Sequence, residues 1–138
     1  MRILNPLAAS NIEDCDKGKV ESALAAPAAG LGEVDKYPSL AEKAAALLYA
    51  FAKGHCCPNG NKRLAYVLTA AFVLRNEHML WADPDELSLK VEQVAASQAD
   101  EADKVRAELA EWIGPRLLPD VEAHVRLHAG IQLGGQPE

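Results

Sequence analysis

Residues 60–74 read Gly60-Asn61-Lys62-Arg63-Leu64-Ala65-Tyr66-Val67-Leu68-Thr69-Ala70-Ala71-Phe72-Val73-Leu74. Behind a polar first turn, the body from Leu64 to Leu74 is apolar on nearly every face, which predicts a helix buried at the centre of the molecule. Its neighbours should also be helices. Alanine is the commonest residue, aromatics make up only 5%, and β-branched residues are scattered rather than alternating, so helical periods dominate. The fold class read from this is all-α: a single-domain helical bundle around one central helix, with an irregular or hairpin flap.

Upstream, Ser39-Leu40-Ala41-Glu42 has the form of a capping box and opens a helix through about Lys53, which Gly54 ends. Residues 28–37 contain Gly30 and Gly32 and are too glycine-rich for a helix, which predicts an exposed flap. A short amphipathic helix from Asp16 turns Val20 and Leu24 inward and stops before Pro27. Downstream, Asp83 as N-cap, Pro84 at N1 and Glu86 at N3 start a helix to about Gln98 that buries Leu87, Val91, Val94 and Ala95. Asp100 is expected to cap the next helix, whose core stripe is Val105, Leu109, Trp112 and Ile113, before Gly114-Pro115 breaks it. Residues 1–114 then form the domain. Residues 115–138 are read as an extension, with a weak helix at 118–128 and a disordered end at 134–138.

With 138 residues, 49% of them hydrophobic, the chain can build one core but not two. A net charge of -6 argues against duplex nucleic acid or an anionic membrane as the main partner, so any anion site must be local. Cysteine occurs at Cys15, Cys56 and Cys57; an odd count with a vicinal pair suggests neither a disulfide framework nor a metal-binding CxxC, and a reducing cytosol fits best. The opening residues lack the apolar run of a signal peptide, and no 18 apolar residues run together, so a soluble cytoplasmic protein is expected. His124 and His128 stand at i, i+4 without a third ligand, which favours solvated surface over zinc.

The junction between the capping-box helix and the apolar helix carries the chemistry. Lys62 and Arg63 fall in a first turn, where the positive end of the helix dipole disfavours cations by about 0.3–1 kcal/mol. A bound anion would offset that repulsion: free first-turn N–H groups, close approach at Gly60 and two converging cations form a phosphate cradle. His55, across the short loop, would face the phosphate as a neutral general base. The bland alternatives are two solvated basic residues, a His55 that caps the preceding helix, and an Asn59 that caps the next one. Spacing admits both sets of readings. Cysteine nucleophilia at Cys56 or Cys57 with His55 as base is a weak third, because immediate neighbours rarely present both side chains correctly and no third group orients the base.

The nine residues His55-Cys56-Cys57-Pro58-Asn59-Gly60-Asn61-Lys62-Arg63 resemble the Fic/Doc motif, H-x-F-x-(D/E)-(G/A)-N-(G/K)-R, and Lys62 in place of glycine is similar to the Doc (death-on-curing) branch. The likeness extends over about Cys15 to Ile113, including Tyr37-Pro38-Ser39-Leu40 and Leu74-Arg75-Asn76. It implies a Fic-like domain in which His55 deprotonates a hydroxyl of a target protein and Asn61 shapes the anion hole. Gly60, Asn61, Lys62 and Arg63 would hold nucleotide phosphates, with Lys53 as a further basic candidate. The flap from Gly30 to Tyr37 would bind an extended target segment by strand addition. The implied cofactors are ATP and Mg²⁺, and the implied partners are elongation factor Tu as target and an antitoxin. Neither end shows a Ser/Thr-x-x-x-Glu-type inhibitory helix, so that antitoxin would be supplied in trans.

Doc-type toxins transfer a phosphoryl group, whereas Fic relatives transfer AMP; Tyr66 stands where AMP-transferring relatives usually have a second arginine, which favours phosphoryl transfer. Two departures from the pattern matter. Cys57 replaces the motif's aromatic, removing a loop anchor. Asn59 replaces the metal-binding acid with a neutral carbonyl donor, and Mg²⁺ prefers anionic oxygens. Cys56 stands where many relatives have proline, at a position the motif leaves free. A degenerate Fic domain that binds nucleotide without turnover is therefore the alternative to an active transferase.

Overall fold

The structure, a computed structural model, describes residues 14–31 and 34–119. Five helices carry these residues: α1 (Lys17–Leu24), α2 (Leu40–Lys53), α3 (Asn61–Arg75), α4 (Pro84–Ala96) and α5 (Ala102–Ile113). Two small antiparallel ribbons accompany them, β1 (Gly30–Leu31) with β2 (Val34–Asp35) and β3 (His78–Leu80) with β4 (Leu117–Pro119). The all-α class holds. Strands of two or three residues are too short for alternation to announce them.

The predicted helix starts are present. Ser39 Oγ accepts from the Glu42 N–H at 3.1 Å and Glu42 Oε1 accepts from the Ser39 N–H at 3.0 Å, closing the capping box of α2. Asp16 caps α1 through the Lys19 N–H at 3.0 Å, and Asp83 caps α4 through the Asp85 N–H at 2.8 Å and the Glu86 N–H at 3.3 Å. Asp100 does not cap α5: it lies within a 3₁₀ turn, Ala99–Glu101, and no side chain caps the helix that follows.

The central helix is α2, not α3. Ala44, Ala45, Ala46, Leu47, Leu48, Phe51 and Ala52 are all buried, and α1, α3, α4 and α5 pack around them. Three successive alanines let neighbouring backbones approach from several directions, which suits α2 to the middle of a small bundle. In α3, Leu64, Ala65, Thr69 and Val73 are buried, whereas Tyr66, Val67 and Leu74 are 40%, 42% and 53% exposed. Apolar residues on every face made α3 look interior, but only one face meets α2; the outward face is uncovered among the described residues.

Two further expectations are corrected. Cys15 and Cys57 are joined in a disulfide across 42 residues, leaving Cys56 buried as a free thiol. An odd cysteine count is compatible with one bridge plus one thiol. Chain-entropy accounting assigns a loop of this length about 4 kcal/mol of stabilisation. The second concerns the end of the chain: Leu118 lies in β4, opposite Met79, rather than starting a helix. The ribbon carries the fold past Gly114, and the Trp81 N–H donates to the Arg116 carbonyl at 2.7 Å. The rest of that expected helix, and the pair His124/His128, lie outside the described residues.

The flap is a hairpin. Lys43 reaches back from α2 to the Pro27 carbonyl at 3.4 Å and to Asp35 at 3.3 Å, and the Arg106 guanidinium stacks near Tyr37 at 5.9 Å and Tyr49 at 4.9 Å. Lys43 thus ties the flap to the N-terminal half of α2, and Arg106 ties its Tyr37 end to α5. No helix of the described residues is long and apolar enough to cross a membrane.

Candidate active site

The site forms where α2 ends and α3 begins. Gly54 closes α2 with backbone so near the last turn that a Cβ would stand 2.5 Å from the Ala50 carbonyl oxygen, which excludes any other residue there without a shift. His55 follows at φ 49°, a left-handed conformation that costs a non-glycine residue about 1–2 kcal/mol. The chain then turns inward, burying Cys56 and Cys57, and outward again, leaving Pro58 and Asn59 exposed. Burial pushes the Cys56 thiol above its ordinary pKa.

Asn61 clasps this loop. Its Oδ1 accepts from the Cys57 N–H at 3.0 Å and its Nδ2 donates to the Cys57 carbonyl at 2.8 Å, so the first residue of α3 and the middle of the loop are held as one piece. Gly60, at φ 78°, occupies the N-cap position, and no side chain caps α3. Asn59 is therefore not the N-cap. Lys62 and Arg63 are exposed and make no ion pair among the described residues. His55 is exposed too, and its ring donates to no helix-terminal carbonyl, so it is not a C-cap.

These side chains border one cleft of about 870 Å³. His55, Asn59, Gly60, Asn61, Lys62 and Arg63 line one side, Pro84, Ser88, Val91, Glu92 and Ala95 of α4 the other, and Tyr66 and Val67 flank them. The volume suits a nucleotide-sized ligand. Lys53 is not part of it: its ammonium donates to the carbonyls of Ala95 and Ser97, bracing the C-terminal end of α4 against α2. The lysine holds the cleft's walls together instead of reaching into it. The described flap residues do not line the cleft either. Their anchor, Lys43, lies roughly 15 Å from the last turn of α2 by the helical rise.

Residues 3–73 match the Fic/DOC family profile. The chain belongs to the Fic/DOC family. It is also 39% identical over 97 residues to Toxin Doc of Mycolicibacterium smegmatis (strain ATCC 700084 / mc(2)155), an alignment covering 69% of this chain and 74% of that protein. No solved structure matches.

The Fic/DOC loop of this chain departs from the motif in two ways that the structure accounts for differently. Cys57, in place of the aromatic, is buried and crosslinked to Cys15, so the loop keeps an anchor of another kind. Asn59, in place of the acid, gains no substitute cluster: no group of three His, Cys, Asp or Glu able to hold a metal occurs among the described residues. A neutral amide and the lone Glu92 carboxylate in the cleft wall do not fit a protein-held Mg²⁺ site.

Sequence reasoning missed Ser88, Glu92 and Cys15. Ser88 and Glu92 each follow a core residue of α4, Leu87 and Val91, and stand four apart, so they share the strip beside the buried face. That spacing was readable, but nothing in it indicated which neighbour the strip would meet.

Proposed function

We propose that this chain is a Doc-like toxin that transfers the terminal phosphoryl group of ATP to a hydroxyl of a target protein. The observation that carries the reading is the convergence on one cleft of an uncapped helix start with two cations and an imidazole that have no hydrogen-bond or ion-pair partner among the described residues. The triphosphate lies along Gly60 to Arg63. First-turn N–H groups and the two cations balance its charge. His55 takes the proton of the target hydroxyl as the oxygen bonds to the γ-phosphorus. The bond from that phosphorus to the β–γ bridging oxygen breaks, and ADP leaves. Ser88 and Glu92 supply polar contacts from the opposite wall, and Tyr66, beside the cradle, adds no second guanidinium of the kind adenylyl transfer uses.

Elongation factor Tu is the proposed target, docked along the flap edge with its hydroxyl reaching the cleft, and a separate antitoxin is the proposed inhibitor. The family resemblance supports both, and a cytoplasmic activity is part of the same proposal. Incubation with γ-labelled ATP should move label to the factor, and His55→Ala should lower transfer by at least about 100-fold. Transfer of label from the α-position instead would overturn phosphoryl transfer in favour of adenylyl transfer. Asn59 supports a second reading, a nucleotide-binding protein with weakened turnover; ATP binding without label transfer would favour it.

A further inference from the structure

The loop that carries His55 is fastened to the rest of the molecule by an unusual pair of links. Cys57 is crosslinked to Cys15, and the adjacent Asp16 N–H donates to the Cys56 carbonyl at 2.7 Å. Asp16 is also the N-cap of α1. From Cys57 the connection continues through both arms of the Asn61 amide into the first turn of α3, where Lys62 and Arg63 follow directly. The path from Cys15 to the phosphate cradle thus consists of one covalent bond and two hydrogen bonds.

We infer that Cys15 is a positioning residue for the phosphate cradle, acting through its bond to Cys57, and that thiol–disulfide exchange switches the cradle between a fixed and a loosened form. The inference rests on reading the cleft as a polyphosphate site. Cys15 is half-buried and Cys57 is buried, so an incoming thiolate reaches the Cys15 sulfur first. A reduced dithiol is the co-reactant: one of its thiolates bonds to the Cys15 sulfur, the Cys15–Cys57 bond breaks, and Cys57 leaves as a thiolate that takes up a proton. The reductant's second thiol then displaces Cys15, which is protonated in turn, and the reductant departs as a disulfide, having given up two electrons. Among the described residues, the loop then keeps the two Asn61–Cys57 hydrogen bonds and the Asp16–Cys56 hydrogen bond but no covalent link to the segment that starts α1. A bridge in a chain proposed to work in the cytosol is expected to be of this transient, sensing kind.

The test is calorimetry with ATP on the full chain, before and after treatment with dithiothreitol, with bridge opening followed by alkylation and mass, folding by circular dichroism, and backbone protection at 57–63 by hydrogen exchange. Reduction is expected to weaken ATP binding about tenfold, by loss of preorganisation, while helicity is retained and protection falls at 57–63. Cys56→Ala should respond in the same way. Equal affinities with the bridge fully open would overturn the inference while leaving the phosphate reading intact. Absence of binding in both states would overturn both. Loss of all helicity on reduction would make the bridge a general staple, and loss of the redox response in Cys56→Ala would move the switch to the wrong thiol; either result overturns the inference.

Discussion

Helices α2 and α3 face the same physical problem at their N-termini and meet it in opposite ways. Each has backbone N–H groups in its first turn with no partner inside the helix. At α2 a reciprocal box of Ser39 and Glu42 satisfies the Glu42 and Ser39 N–H groups and puts a carboxylate at the positive end of the dipole. At α3 a left-handed glycine leaves them uncapped, and the first turn holds Lys62 and Arg63 with no acid. One end is completed by the protein itself. The other is left open by the protein, and under the proposed reading an anion from outside completes it.

Removing both cations by Lys62→Ala with Arg63→Ala should produce the largest change, lowering ATP affinity by at least about 100-fold in calorimetry, since each charge-assisted phosphate contact contributes about 1.5–3 kcal/mol. The melting temperature should stay the same or rise, because like charges leave the positive end of a dipole. Ser39→Ala is the mirror experiment: it should lower unfolding free energy by about 1 kcal/mol in denaturant titration and leave ATP affinity unchanged. If both variants moved stability and neither moved binding, the two helix ends would be physically equivalent. Asn59→Asp has an intermediate effect. It restores an anionic oxygen beside the cradle and should strengthen Mg²⁺-dependent nucleotide binding by several-fold in a metal titration. The smallest change concerns the loop between the two helices. Burial raises the Cys56 pKa, so less of this thiol is ionised at any given pH, and iodoacetamide at pH 8 should label it more slowly in the folded chain than in urea. As pH rises the native labelling rate should climb later than that of an exposed thiol.

Local chemistry was readable in the sequence wherever a residue acts on its own helix. Ser39 and Asp83 form the caps that their spacing indicates, because capping depends on atoms three residues away or fewer. What failed was placement that depends on distant neighbours. Leu64 to Leu74 is apolar throughout, yet periodicity cannot say how many of a helix's faces meet protein, and α2, with fewer bulky residues, took the centre. Lys53 looked like a free cation because nothing in its own segment shows that the end of α4 brings the Ala95 and Ser97 carbonyls to it. The Cys15–Cys57 bridge was hidden for the same reason, since its partners are 42 residues apart and one of them has a cysteine neighbour. At the site, the motif indicated His55, Asn61, Lys62 and Arg63, and these do converge on the cleft. The opposite wall, Ser88 and Glu92, emerges only from the packing of α4.

The central claim is that the uncapped start of α3 grips a polyphosphate chain. Parallel calorimetric titrations of the oxidised protein with ATP and with adenosine test it most directly. The account predicts saturable binding of ATP and none of adenosine at the same concentration, with the ATP signal lost when Lys62 and Arg63 are both replaced by alanine. Equal binding of the two ligands, or ATP binding untouched by that double replacement, would contradict it.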